Sequence, residues 1–378
     1  MNLPLSPESA TQAVVWGGLA LGLALGAAGQ ASRFCIRGAI ADWYLFGGKG
    51  RMLSWVLVVA VALAGTQALI AAQVFAPERA VAASPRLLWA STLVGGLMFG
   101  YGMVLAAGCP QRSLVKAGTG NLRAIVTLLV AALGAQMTLR GVFAEARTKT
   151  VDTLGVQLAG PQDLGSILAG WSGLGTGTLR GAAVLLFVVV AAIWLWRQRA
   201  QMEPVQWGAS IAIGLLVPAA WWLTGQIGYL PEHPETLEAA WMGTASRRPE
   251  ALSFTAPLAS AADLLTYWSD KNTVATFGVT MALGVLIGSH VSARLRGEVK
   301  LESFANAAEL RDHLVGGLLM GVGGVTALGC SVGNGVTGLA LLSVGAMLAV
   351  AGIVGGALLA LRAQMRRAQR VAPKLAAA

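Results

Sequence analysis

Charged side chains are scarce in this chain. Asp, Glu, Lys and Arg make up 12% of its 378 residues, about half the share usual in a soluble domain. Histidine and cysteine are equally thin, at three each. No C-x-x-C occurs, and no His stands at ligand spacing from the three cysteines, at 35, 109 and 330. Zinc and iron–sulfur sites need such clusters, so no metal is expected. P-loop and Rossmann patterns are missing, and no cofactor is expected. The start, "MNLPLSPESATQ", lacks the basic n-region of a signal peptide, so no cleavage is expected. The net charge of +10 is spread over short loops without an RNP-like stretch, so nucleic acid is not an expected partner.

What the chain has is apolar length. Hydrophobic residues make up 56% of it, in runs of about 20, the span of a bilayer core as a helix. The fold class expected is an all-α polytopic membrane protein in a lipid bilayer. Nine spans are predicted, at 12–31, 52–75, 86–107, 122–142, 179–197, 206–224, 273–292, 312–329 and 341–361. Trp55, Trp89, Trp194, Trp196, Trp207, Trp221 and Trp222 near their ends read as an interfacial belt. Of the 27 Lys and Arg, 18 fall on the side of the C-terminus, among them Arg33, Arg112, Lys116 and Arg294. The positive-inside rule then puts the C-terminus in the cytoplasm and the N-terminus outside. The tail from 362 to 378 reads as a basic, solvated cytoplasmic stop.

Four mildly apolar segments, 33–46, 109–120, 254–268 and 330–338, are too short to span. Irregular backbone at membrane depth survives only inside protein or along a cavity. These segments are predicted re-entrant half-helices. They also belong to a repeat. Residues 95–109 and 316–330 are identical at nine of fifteen positions under a shift of 221. The same shift lays "SRFCIRGAIADWY" (32–44) on "SFTAPLASAADLL" (253–265), and span 52–75 on span 273–292. Repeat A covers about 12–142 and repeat B about 206–361, with 143–200 as a linking span. An odd number of crossings separates partners, so the copies are predicted to be inverted, with the site where they meet.

The spans are nearly free of ionisable groups. His290 and the Asp312–His313 pair lie near span ends and read as interfacial, and Asp42 and Asp263 fall on half-helices. A proton relay, which puts Asp, Glu or His inside the membrane, is not expected. Backbone dipoles, hydroxyls, amides and thiols remain. A half-helix N-terminus offers unpaired N–H groups and partial positive charge, which suits an anion. Pro110 after Cys109 suits the first helical position and makes Cys109 a cap. Ser331, Gly333, Asn334 and Gly335 follow Cys330 as a second donor-rich mouth. Thiols are weak donors with soft sulfur, and they fit a substrate that itself presents sulfur. Cys109 and Cys330 are repeat-equivalent, whereas the partner of Cys35 is Ala256. Cys35, Cys109 and Cys330 are the primary substrate-binding candidates. Ser331, Asn334, Arg112 and Asn121 are secondary ones.

The motifs "RFCIRGAIAD", "GCPQRSLVKAGTGN", "SFTAPL" and "GCSVGNGVTG" resemble those of the YeeE/YedE family of bacterial sulfur transport proteins. The likeness runs from about residue 12 to 361. It implies an inner-membrane protein with nine spans, plunging short helices and inverted halves shaped like an hourglass. It implies thiosulfate uptake, the ion passing inward along Cys35, Cys109 and Cys330 by S–H···S contacts. It also implies a small TusA-like sulfurtransferase as cytoplasmic partner. The alternatives are another sulfur or selenium anion, such as sulfide or selenite, or a membrane thiol oxidoreductase. No enzyme is expected, since a resolving cysteine is missing. Stretches 143–178 and 225–252 match no motif of the family and are expected to be variable loops with no chemistry, the alternative being an outer vestibule.

Overall fold

The computed structural model describes residues 6–234 and 236–376, with side chains up to residue 369. The first five residues of the expected uncleaved start, and the side chains of Arg370 and Lys374 in the expected tail, lie outside the described residues. The chain runs through α1 (Pro7–Ala31), α2 (Ile36–Phe46), α3 (Gly50–Ala71), α4 (Trp89–Leu105), α5 (Pro110–Gly118), α6 (Leu122–Leu139) and α7 (Val142–Lys149). It continues through α8 (Leu164–Ser172), α9 (Thr176–Arg197), α10 (Pro204–Trp222), α11 (Thr255–Thr266), α12 (Phe277–Leu295), α13 (Ala307–Thr326) and α14 (Val344–Ala376). Two antiparallel pairs of two-residue strands, 86–87 with 156–157 and 229–230 with 240–241, are the described sheets.

This is an all-α polytopic membrane protein. Each predicted span falls on one of α1, α3, α4, α6, α9, α10, α12, α13 or α14. Eight segments among the described residues are long and apolar enough to cross a membrane. The segment 312–329, on α13, is not one of them, because Glu309, Arg311 and Asp312 crowd its first turns. Three of the four predicted half-helices are the short helices α2, α5 and α11. The fourth differs. Residues 333–338, "GNGVTG", form a π-helical turn that follows two α-helical residues, 331–332. Helix α14 continues unbroken into the expected tail, through 362–376.

Two further expectations are corrected. His313 is buried, not interfacial, with Nδ1 2.8 Å from Thr127 Oγ1. Trp221 is not a belt anchor. It is 3% exposed and stacks on Phe75, with ring centroids 4.7 Å apart.

The bundle is built on close helix pairs: α1 on α12, α3 on α10, α4 on α13 and α14, and α6 on α13. Shifting by 221 carries α2 to α11, α3 to α12, α4 to α13, α5 to the 331–338 turn and α6 to α14. The α4–α14 pair then has α13–α6 as its counterpart, whereas α1 shifts onto 228–252, which hold no helix. Small residues allow the closest approaches. A Cβ on Gly100 of α4 would lie 2.0 Å from the Ile353 carbonyl oxygen of α14.

Two short extended segments brace the ends of the cysteine-led half-helices. Residues 300–302 bond to 119–122 after α5, with Leu122 N donating to Glu302 O at 2.8 Å. Residues 162–164 bond to 342–344 after the π turn, with Leu164 N donating to Leu342 O at 2.9 Å. Part of the stretch expected to be idle therefore supports the core. Asp163 in that brace is held by a two-pronged pair with Arg180 Nε and Nη2, both at 2.8 Å. Its side chain is 3% exposed and that of Arg180 15%.

Removing one partner strands a buried charge. Arg180→Met is expected to cost about 3 kcal/mol, read as a lowered unfolding temperature in detergent. Burial by itself would raise the Asp163 carboxyl, but hydrogen bonds from Arg180 and Ser166 outweigh it and hold it below the usual carboxylate range. A depressed folded pKa stabilises fully above the ordinary carboxylate value and less as pH falls toward the folded one. The gap between Arg180→Met and the unchanged protein should therefore shrink below about pH 4.

Candidate functional site

The same turn is built twice, 221 residues apart. Helix α4 ends with Ala107 in the left-handed region, φ 53°, and α13 ends with Leu328 there, φ 58°. Gly108 N then donates to Met103 O at 2.9 Å and Gly329 N to Gly324 O at 2.8 Å. This six-to-one bond satisfies a carbonyl that the helix end would leave unpaired. The next residue in each case is a cysteine. Cys109 is the N-cap of α5, with Pro110 at the first helical position and no cap bond from its own sulfur. Cys330 Sγ accepts from Gly333 N at 3.3 Å.

Cys35 occupies the same role at α2, where its Sγ accepts from Gly38 N at 3.4 Å. Sulfur that accepts from the backbone keeps its S–H free to donate. All three cysteines are free thiols, with Cys109 and Cys330 buried and Cys35 partly so. Cys109 is within electrostatic range of both Cys35 and Cys330, and its thiol faces Ser331 Oγ. That hydroxyl is buried and has no hydrogen-bond partner. Gln111 Nε2, one turn into α5, is a second buried donor without a partner. Among the described residues no group of His, Cys, Asp or Glu gathers as metal ligands.

The secondary candidates differ in what their side chains have left to offer. Asn334 Nδ2 donates to Ala327 O at 3.0 Å and Gly329 O at 2.8 Å, so it closes the end of α13. Asn121 caps α6 by accepting from Ala124 N at 3.0 Å, and its amide donates to Glu302. Arg112 Nη1 donates to Gly29 O at 3.3 Å and faces Cys35 and Cys109 electrostatically. Ser331 is the one of the four whose polar atom is left unpaired.

Two cavities approach this cluster from opposite ends of α6. The first, about 580 Å³, is lined by Asn121 and Arg123 at the start of α6, and by Ala106, Ala107, Arg112 and Ser113, which flank Cys109. Lys116, in its wall, donates to the left-handed residue's carbonyl, Ala107 O, at 2.7 Å. The second, about 320 Å³, is lined by Leu139 and Arg140 at the end of α6, and by Leu328, Gly329 and Gly333, which flank Cys330. An 18-residue helix is about 27 Å long, roughly the depth of a bilayer core. None of the three cysteines lines either cavity.

The second cavity also takes residues from 143–178 and 225–252, the stretches for which a vestibule was the alternative to plain loops. Arg147 lies on α7, and Ser246, Pro249 and Glu250 come from 225–252. Burial pushes the Glu250 carboxyl up, against the pull of the Ser246 and Ala245 N–H groups. Arg147, Trp221, Glu250 and Thr276 carry no motif, and sequence reading passed over them as functional residues. Their common feature is a shared void, which the packing of α6, α7, α10, α11, α12 and α13 with residues 245–253 creates.

A family model for sulphur transport matches residues 31–359. The chain is 26% identical over 342 residues to the thiosulfate transporter TsuA of Escherichia coli (strain K12), covering 87% of this chain and 89% of that protein. It is also 26% identical over 347 residues to the thiosulfate transporter TsuA of Spirochaeta thermophila, covering 89% of this chain and 94% of that one. The matched span holds all three cysteines, and the chain belongs to the sulphur transport family.

Proposed function

We propose that this chain takes up thiosulfate across the bacterial inner membrane, along a path past Cys330, Cys109 and Cys35. The N-terminus lies outside and the C-terminus in the cytoplasm. The two repeats, about 12–142 and 206–361, face opposite sides as an inverted pair joined by 143–200. The second cavity is then the outer vestibule and the first the cytoplasmic one. The observation that carries the reading is the cluster of thiols between two cavities reached from opposite ends of one helix.

Thiosulfate carries a dianionic charge and a terminal sulfur. The half-helix N-termini and free S–H groups lower the cost of its dehydration. No bond is made or broken, and the thiols serve as weak donors in turn. Weak, repeated contacts suit passage, because a tight site would not release the ion. On the cytoplasmic side the ion meets Arg112, Lys116 and Arg123. A small TusA-like sulfurtransferase is the proposed acceptor there.

The test is uptake of labelled thiosulfate by cells that lack other sulfur-oxyanion carriers. The expected result is rapid accumulation that excess unlabelled thiosulfate suppresses. Accumulation of sulfide or selenite in preference to thiosulfate, at normal membrane levels of the protein, would overturn the substrate assignment. Trapping of a disulfide or persulfide on these cysteines during turnover would replace transport by thiol exchange.

A further inference from the structure

The Cys109 and Cys330 turns are alike in backbone but are closed by different side chains. At the Cys330 turn, Asn334 Nδ2 brackets the left-handed Leu328, donating to Ala327 O at 3.0 Å and Gly329 O at 2.8 Å. The residue 221 positions before Asn334 is Ser113, which carries no amide. At the Cys109 turn the bond comes from another place. Lys116 Nζ donates at 2.7 Å to the carbonyl of Ala107, the left-handed residue itself. The counterpart of Lys116 is Thr337, whose hydroxyl donates to Leu252 O at 2.8 Å, away from its own turn. The repeat has kept the turn and exchanged the group that closes it.

Helical side chains lean toward the N-terminus of their helix. A lysine near the end of α5 therefore reaches back to Ala107, two residues before the Cys109 cap. Only Gly108 separates the held carbonyl from Cys109, and Ser113 N donates to Cys109 O at 2.8 Å. The cap is thus fixed from both sides, and a shift of the Ala107 carbonyl passes directly to it. Charge adds a second effect. The last carbonyls of a helix lack partners within it and gather partial negative charge. An anion beside the Cys109 thiol sits near that end of α4. Asn334 satisfies its two carbonyls with a neutral amide, whereas Lys116 satisfies one and brings an ammonium. Lys116 is also within electrostatic range of Cys35 and lines the first cavity.

We propose that Lys116 is the positioning residue of the Cys109 turn: by holding the Ala107 carbonyl it fixes where the Cys109 thiol stands and offsets the negative end of α4 beside it. The proposal deepens the uptake reading and rests on it. Lys116 exerts this role through Cys109, in addition to its place in the cavity wall. Its effect falls on passage at Cys109, not on first binding from the opposite cavity.

The test measures labelled thiosulfate uptake over a range of concentrations, normalised to membrane-embedded protein. Lys116→Met keeps the length of the side chain and loses the ammonium. Its maximal rate should fall about tenfold, with KM changed by less than about twofold. Lys116→Arg keeps a charged donor and should retain at least about half of the rate. Lys116→Gln is one atom shorter and uncharged, and its rate should fall by at least about threefold, which keeps the test decisive where Lys116→Met folds poorly. An unchanged maximal rate in Lys116→Met or Lys116→Gln overturns the proposal. So does a rise in KM alone, or a rate in Lys116→Arg as low as in Lys116→Met.

Hydrogen exchange in the purified protein separates this role from the uptake reading. The backbone of 104–113 should exchange about tenfold faster in Lys116→Met or Lys116→Gln than in the unchanged protein, and Lys116→Arg should match the unchanged protein. That result supports the clamp even where cells show no uptake and the transport reading has failed. Equal exchange in all of these proteins, with normal uptake, removes the clamp and leaves the transport reading standing.

Discussion

Cys109→Ala should reduce thiosulfate uptake by about tenfold or more at an unchanged protein level, and Cys109→Ser should not restore it. Cys109 lies within electrostatic range of both other thiols and beside the buried Ser331 hydroxyl. On the proposed path it is therefore the member of the cluster that links the other two. Hydrogen bonds to charged groups contribute about 1.5–3 kcal/mol, which corresponds to roughly ten- to hundredfold in rate when the loss falls on the limiting step. Alanine removes the donor outright. Serine keeps a donor of similar size but loses the soft, polarisable sulfur. Uptake in cells, normalised to membrane-embedded protein, is the measurement. Full uptake by both Cys109→Ala and Cys330→Ala would end the idea of a thiol path while leaving the membership of the family intact.

The second large effect concerns the scaffold. Gly100→Ala should lower the unfolding temperature sharply or prevent accumulation of folded protein, although it adds only one methyl group. That methyl would sit 2.0 Å from the Ile353 carbonyl oxygen. The obstacle is backbone, which has no rotamer to escape into, so α4 and α14 must move apart. Overpacking in a dense interior usually costs about 1–3 kcal/mol, and here it acts on a helix pair that positions Cys109. The control is Gly170→Ala in α8, where the added Cβ meets nothing within 4 Å. That change should be neutral or stabilising by up to about 1 kcal/mol. Thermal unfolding in detergent, followed by size-exclusion profile, compares the two. Equal unfolding temperatures would show that α4 and α14 are free to separate there.

Several features of the site were legible in sequence because they depend on near neighbours. Pro110 at the first helical position announces a helix whose cap is Cys109. The offset of 221 carries one turn onto another, and the paired left-handed residues Ala107 and Leu328 follow from it. Other features escaped because their partners are distant. Asn334 reads as a donor for an ion, yet its amide is committed to the end of α13. Trp221 reads as an interfacial anchor, yet it is buried against Phe75 beside a void. The turn after Cys330 reads as a plain half-helix, yet its three glycines relax it into a wider π turn.

The sequence by itself determined the membrane-spanning class, the positions of the short helices and the three capping cysteines. Each of these follows from runs of apolar residues, from proline and glycine placement, or from a repeat within one chain. Tertiary structure alone decided that Cys109 lies within electrostatic range of Cys35 and Cys330, that two cavities open at opposite ends of α6, and that Trp221 packs on Phe75 beside one of them. These residues are separated by tens to hundreds of positions. No local periodicity encodes a distance across a bundle, which is set only when the helices close on one another at their glycines.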